Sequence, residues 1–316
     1  MEIITKRIKV LPKRKIFHII PIGDLHFGSL AFNENLWKSF LKRVNDLENP
    51  LFIVVGDIID DDRPSTRDRR TTLFIDRNEA YQQEDIQHLH FLVKLALKKL
   101  SFLNPTNCLG MLDGDHYRVY SNGKTSTEVL CTALKVPYLG RGQAIIRLLF
   151  QFSNTTRLFT IHARHGRGFH STEGGKINAN RKFVNMWEGV DLFVKGHSHS
   201  SWEDDVVRNV VTREGFIYEK CIGTLNSGSF RKTFIMRDEI ETQKRELLKE
   251  VEKKEIVKKL LPFIGIKENT VDYPEIKEYP PTNKKLMCFK ISWKKTRKIK
   301  GYPDYEGIYD IVKLQL

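Results

Sequence analysis

The chain reads as an α/β layered protein, and three observations carry that reading. Apolar, β-branched runs recur and each closes on a polar cluster: IFHIIPIGDLH at 16 to 26, LFIVVGDIID at 51 to 60, CLGMLDGDH at 108 to 116, LFTIHARHG at 158 to 166 and VDLFVKGHSH at 190 to 199. Strands buried on both faces have this composition. Between the first three lie helical stretches, Glu34 to Leu47 and Ala80 to Phe102, with apolar residues three and four apart, as at Ile86, Leu89, Val93, Ala96, Leu97 and Leu100. Finally, the order strand, helix, strand, helix, strand implies functional side chains at the carboxyl ends of the strands.

With 316 residues, 40% hydrophobic and 29% charged, the chain can bury one large core or two smaller ones. Its first residues, MEIITKRIKVLPKRKIF, carry charge every few positions, and nowhere do eighteen apolar residues run together. No secretory signal or membrane span is expected, and a cytoplasmic location follows from that expectation. Cys108, Cys131, Cys221 and Cys288 are scattered without CxxC spacing, as reduced core thiols would be.

The formal charge of +14 favours polyanionic partners. Residues 283 to 300, NKKLMCFKISWKKTRKIK, hold eight Lys or Arg and no acid, interleaved with Phe289 and Trp293, and a second basic cluster spans Lys6 to Lys15. Basic groups neutralise phosphates and aromatics stack on bases, so DNA or RNA is an expected partner. The period-two spacing of Phe289, Ile291 and Trp293 fits equally a strand that turns those residues inward.

Further along, AIIRLLFQF and FIYEKCIGTLNSGSF alternate as antiparallel or mixed-sheet strands do. Residues 237 to 260 form a charge-rich helix with Ile240, Leu247, Val251 and Val257 among its few apolar positions, bounded by Pro262. A solvated helix laid over the domain fits this pattern better than a coiled-coil dimer arm, because the heptads are few and imperfect. A Pro- and Tyr-rich connector, VDYPEIKEYPPTNKK, precedes the basic terminal segment.

Five strand ends carry Asp or His: Asp24 and His26 in GDLH, Asp57 and Asp60 in GDIID, Asp115 and His116 in GDH, His162 and His165 in IHARHG, and His197 and His199 in GHSH. If the backbone stayed extended, His197 and His199 would project to one side in chelating geometry, and His162 and His165 to opposite sides, so that both of the latter could not easily ligate. Oxygen and imidazole donors of this mix suit Mn, Fe, Zn or Ni, and the lack of thiolate argues against a structural zinc. Glycines before Asp24, Asp57, Asp115 and His197 permit turns that bring these ends together.

The ordered set DLH, GDIID, GDH, a lone His and GHSH resembles the pattern DxH, GDxxD, GN[HD], His, GHxH of the calcineurin-like metallophosphoesterase superfamily, over about residues 16 to 235. The resemblance implies an α/β/β/α sandwich of two mixed β-sheets flanked by helices. It implies a catalytic domain at 1–235 with a possible capping insertion at 61–83, while the shift in composition sets off a charged helix at 236–262 and a connector and basic segment at 263–316, expected to pack on that domain. It also implies two divalent transition metal ions, Mn foremost. Asp24, His26 and Asp57 would hold one; Asp57 would bridge to a second held by Asp115, the lone His and His197, with His199 reaching back to the first. HGRGFHSTEGGKIN resembles the loop of phage-type members and favours His165 over His162 as the lone His. The implied reaction is attack on phosphorus by a hydroxide between the metals, with His116 as acid and Asp60 orienting it. The bland reading of Asp60 is turn chemistry in the acidic run IIDDDR. Arg118, and Arg164 or Arg167, are candidate phosphate contacts, with plain surface charge as an equal alternative.

This chain has Asp115 where the pattern has asparagine. A third carboxylate tightens metal binding but makes the metals poorer Lewis acids. Three functions are therefore carried forward: a phosphodiesterase or nuclease, a phosphomonoesterase acting on nucleotides or phosphoproteins, and a metal- and nucleic-acid-binding scaffold with weakened turnover.

Overall fold

The computed structural model describes residues 1–11, 15–29, 31–60, 79–120, 122–166, 172–211, 215–232, 285–295 and 305–315. Residues 61–78, the charged helix at 237–260 and the connector at 263–284 lie outside them, as does Arg167.

Among the described residues, twelve strands form two six-stranded sheets. The first runs β1 (Glu2–Lys9), β6 (Gln143–Gln151), β7 (Thr156–Arg164), β8 (Leu192–Lys195), β10 (Ile217–Asn226), β9 (Glu203–Val211). The second runs β12 (Tyr305–Gln315), β11 (Lys285–Lys295), β2 (Ile16–Ile22), β3 (Pro50–Val54), β4 (Cys108–Asp113), β5 (Tyr138–Arg141). Both are mixed. β2, β3, β4 and β5 are mutually parallel, as are β7, β8 and β10, while β11 pairs antiparallel with β2 and β12.

Four helices complete the described chain: α1 (Glu34–Asn45), α2 (Glu79–Lys99), α3 (Ser126–Leu134) and α4 (Glu173–Val184). Asn33 caps α1 by accepting the Leu36 N–H at 3.0 Å, and the helix buries Trp37, Phe40 and Val44. Thr125 caps α3 by accepting the Glu128 N–H at 3.1 Å, and Thr172 does the same for α4 through Gly175.

Alternation along the strands sorts the apolar residues into layers. Ile19, Leu51, Ile53 and Val55 of the second sheet meet Ile146, Leu148, Ile161, Leu192 and Val194 of the first, making the core between the sheets. Ile20, Ile22, Phe52 and Val54 face the other way, onto Trp37, Phe40, Leu92 and Ala96. On the outer face of the first sheet, Phe193 and Ile222 pack against Val184 and Val190. The result is helix, sheet, sheet, helix, the layered sandwich expected from the motif resemblance. No helix among the described residues is long and apolar enough to cross a membrane.

Three sequence expectations need correction. The helices stop earlier than their apolar spacing suggests, at Asn45 and Lys99. Phe289 and Trp293 are each 4% exposed and sit with Ile291 in the inter-sheet core, so these aromatics cannot stack on bases. Lys294 alternates outward, which is how a basic stripe and a buried strand share one segment. The cysteines are all free, but Cys221 is exposed rather than a core thiol.

Trp293→Ala is expected to lower the free energy of unfolding by about 3–5 kcal/mol, whereas Lys294→Ala changes it by less than about 0.5 kcal/mol. Denaturant midpoints of the two variants check this, and equal midpoints would contradict the inward placement.

Candidate metal centre

The carboxyl ends of β2, β3 and β4 in one sheet and of β7, β8 and β10 in the other meet at a single edge of the sandwich. Asp24, Asp57 and Asp115 follow the first three; His165 and His197 follow β7 and β8, and Asn226 ends β10. Backbone bonds lace these ends together: Asp24 N–H to the Gly56 carbonyl (3.1 Å), Leu25 N–H to that of Asp57 (2.8 Å), and Phe230 N–H to that of Asp24 (3.3 Å).

Asp57 is the pivot. Its Oδ1 accepts the backbone N–H groups of Asp115 (2.6 Å) and His116 (2.9 Å). That leaves Oδ2 facing His165 Nε2 at 3.2 Å on one side and His26 Nε2 at 3.9 Å on the other. The approach is so close that a Cβ on Gly114 would lie 2.0 Å from Asp57 Oδ1, so only glycine fits there.

Two imidazole pairs flank this carboxylate. His26 Nε2 and His199 Nε2 are 3.3 Å apart, as are His165 Nε2 and His197 Nδ1. The tautomers follow from the opposite ring nitrogens. His165 Nδ1 lies 2.8 Å from the Val55 carbonyl and donates to it; His26 Nδ1 lies 3.2 Å from Asp60 Oδ2 and does likewise. Both Nε2 atoms are therefore the ones turned to the centre, as in metal-ligating histidines, and His165 can ligate once it releases the proton that Asp57 holds on it in the metal-free chain. Asp24 is fully buried; its Oδ1 accepts the His197 N–H at 3.1 Å, and its Oδ2 has no hydrogen-bond partner. Asp115 Oδ2 sits 3.1 Å from His197 Nδ1 and 3.7 Å from His165 Nε2.

An orphaned buried carboxylate oxygen and two pairs of ring nitrogens facing each other at 3.3 Å fit divalent cations. Asp24, His26, Asp57 and His199 offer ligand atoms all within 4.8 Å of one another, and Asp57, His165 and His197 form a second such group. Asp57 belongs to both.

The sequence-predicted residues separate clearly. Asp24, His26, Asp57, Asp115, His165, His197 and His199 come together, with Asp60 and His116 alongside: Asp60 Oδ1 is 3.4 Å from His116 Nδ1. Arg118 is half-buried two residues past His116, its backbone N–H on Ser126 Oγ at 3.2 Å. His162 lies elsewhere, boxed by Phe183, Trp187 and Phe193 at ring-centroid distances of 4.9, 4.8 and 5.5 Å. The expectation that a neighbouring carbonyl satisfies the non-ligating histidine fails, since neither His162 nitrogen has a partner; burial pushes its pKa down to about 4 and keeps the ring neutral. His197 and His199 do not chelate one ion in the way an extended strand would direct. Each adopts a left-handed backbone, φ 70° and 51°, and they serve opposite imidazole pairs.

That left-handed backbone recurs. Five of the seven described non-glycine residues with positive φ are Asp24, His26, Asp57, His197 and His199. The turns sit on the ligands themselves, while Gly23, Gly114 and Gly196 serve close approach rather than positive φ. Such backbone is sparsely populated outside glycine and concentrates at functional sites.

Sequence reasoning missed Arg231 and Asn226. Arg231 is 8% exposed, with Nη1 3.7 Å from Asp60 Oδ2. Asn226 donates to Ser198 Oγ at 2.7 Å, bracing the loop between the two histidines. The available signal was the polar run NSGSFR at the end of β10, whose parallel pairing with β8 puts its carboxyl end at the same edge.

Electrostatics agree with the geometry. Burial pushes Asp24 up to about 7. Burial opposes charge on both Asp57 and His165, but their mutual attraction prevails, holding Asp57 well below its ordinary range and raising His165 to about 9. Partial burial opposes charge on His116, but Asp60 and Asp57 outweigh it and raise its pKa.

No protein-family model and no curated protein sequence matches the chain. Among solved structures, Vps29 of Chaetomium thermophilum is similar at 10% identity, covering 95% of this chain and 97% of that one with a TM-score of 0.30. The same protein complexed with a cyclic peptide aligns at 10% identity, 95% and 99% coverage and a TM-score of 0.26. A conserved uncharacterized protein of Streptococcus pneumoniae, described as a predicted phosphoesterase, is 13% identical over 68% of this chain and 73% of its own, with a TM-score of 0.26.

His165→Ala is expected to lose bound metal while His162→Ala retains it, checked by elemental analysis of the folded proteins; the reverse result would overturn the assignment. A pH signature follows as well. Asp24 and His165 keep protons in the folded metal-free chain that the unfolded chain has released, so stability present at pH 6.5 falls as pH rises to 8. A loss of about 1–2 kcal/mol is expected from denaturant titrations of metal-free protein, and it should vanish with saturating metal. A rise over that interval would contradict the placement of these groups.

Proposed function

We propose that this chain is a dinuclear metal-dependent phosphoesterase and, within that class, a phosphodiesterase acting on nucleic acid. The observation that supports the first part is one carboxylate oxygen, Asp57 Oδ2, set between two imidazole pairs. The motif order of the calcineurin-like metallophosphoesterases supports the same reading. The nucleic-acid part draws its support from the formal charge of +14.

In this reading Asp24, His26, Asp57 and His199 would hold one divalent ion, and Asp57, Asp115, His165 and His197 would hold the other, with Mn foremost by donor chemistry. Bound there, the ions supply Lewis acidity to the phosphoryl oxygens and make the attacking water more acidic. The chain's own groups do the remainder. His116, whose side chain is 41% exposed, stands where the centre meets solvent and donates a proton to the departing ester oxygen. Asp60 holds His116 on Oδ1 and His26 on Oδ2, so one carboxylate keeps the acid aligned with a ligand. Arg231 lies 3.7 Å from the same Asp60 Oδ2 and helps keep that carboxylate ionised behind the His26 ring.

With Mn²⁺, the purified protein is expected to turn over bis-p-nitrophenyl phosphate in preference to p-nitrophenyl phosphate and to cut labelled DNA or RNA. His116→Asn should lower kcat by about 10²–10⁴ while metal content is unchanged. Monoester turnover alone would contradict the diesterase reading. No turnover with any divalent metal, restored by Asp115→Asn, would identify a metal-holding scaffold weakened by its third carboxylate.

A further inference from the structure

A second group of charges lies beside the centre, on the outer face of the first sheet, and nothing in the proposed chemistry uses it. Arg164 and Lys195 are direct cross-strand neighbours on β7 and β8, so two cations stand side by side on one face. Like charges so placed repel one another. Lys195 is 4% exposed, and among the described residues its ammonium has neither a hydrogen-bond nor an ion-pair partner. A lysine buried to this extent with no carboxylate in contact is rare and costly, and the opposing charge that acts on it is that of Asp24, a residue of the metal centre. Its stem runs under Gly166, where an added Cβ would lie 2.5 Å from Lys195 Cε and 3.4 Å from His197 Cβ, so the ammonium lies along the His197 flank of the metal centre.

Helix α4 closes this group from above and fixes its members. The Arg164 guanidinium lies 3.6 Å from the Phe183 ring centroid, and its Nη2 donates to Asn180 Oδ1 at 3.1 Å. Lys176, one turn before Asn180, donates to Ser200 Oγ at 2.9 Å, next to His199. Three cationic side chains from β7, β8 and α4 therefore gather at the edge where the metal ligands emerge, and Lys195 retains three donors with no acceptor.

We infer that Arg164, Lys176 and Lys195 form a phosphate subsite contiguous with the metal centre, which takes the phosphate next to the scissile one along a nucleic-acid strand. This inference rests on the phosphoesterase reading for its substrate, but the anion site itself does not depend on bound metal. Arg164 presents a planar fork braced by Phe183 and Asn180, Lys195 a buried point charge, and Lys176 a third donor from the helix. A diester with one phosphate fills the metal centre alone, whereas a strand fills both positions.

Chelator-treated full-length protein titrated with inorganic phosphate in a calorimeter is expected to show one saturable site. Lys195→Met should weaken it at least ten-fold. Should that variant fail to fold, Lys176→Met, at a half-buried helix position, should weaken it at least threefold. The second arm uses metal-loaded protein and a thymidine dinucleotide with or without a 5′-phosphate, compared by competition binding. The added phosphate should improve affinity at least ten-fold in the wild type, with the gain lost in the variant. No saturable phosphate binding, an unchanged affinity in the variants, or no gain from the 5′-phosphate would overturn the inference. Failure of the wild type to take up metal would sink the phosphoesterase reading and leave the phosphate result standing; metal uptake without phosphate binding would sink this inference alone.

Discussion

The two N–H···O bonds that pin Asp57 Oδ1 to the backbone of Asp115 and His116 are the constraint on which the centre depends. They rotate the carboxylate so that its other oxygen looks at both imidazole pairs, and they tie the end of β4 to the end of β3. Because the loop must come within bonding distance of the carboxylate, residue 114 has no room for a side chain. One buried side chain thereby sets the spacing of the strand ends in its own sheet and receives His165 from the other. The Val55 carbonyl adds a second tie between the sheets by fixing the ring of His165.

Such a centre is held against local preference. Left-handed backbone costs an L-residue about 1–2 kcal/mol, and five of the converging residues adopt it. Buried carboxylates and an orphaned oxygen add to the cost. The compensation comes from the layers beneath: the inter-sheet core, with Ile19, Ile53, Ile146 and Ile161 fully buried, and the helix-facing core around Trp37 and Phe40. Rigid parallel strands supply fixed points from which strained turns can present their side chains.

Much of this was legible in the sequence, for reasons that can be named. β2, β3, β4, β7 and β8 are short, largely apolar runs, β-branched in all but β4, and helix α1 shows its apolar stripe at Trp37, Phe40 and Val44, so period and composition agree. The Asp and His residues were visible because each stands at the end of such a run. Other elements gave weaker signals. β1 and β9, at the sheet edges, alternate exposed with half-buried residues and lack the fully apolar run that marks the inner strands. In β11, lysines facing solvent and aromatics facing the core produce the same letters as a nucleic-acid-binding stripe; burial, which the sequence does not display, separates the two. The divergence of His197 and His199 was hidden because side-chain alternation presumes extended backbone, and both residues leave it. Lys195 and Arg164 become conspicuous only when register sets them side by side.

The most direct test of the account is anomalous diffraction from crystals of the protein soaked in Mn²⁺. Two peaks are predicted, one on each side of Asp57 Oδ2, the first beside His26 and His199 and the second beside His165 and His197. A single peak, or none at that edge of the sandwich, would contradict the claim that Asp57 is shared by two cations.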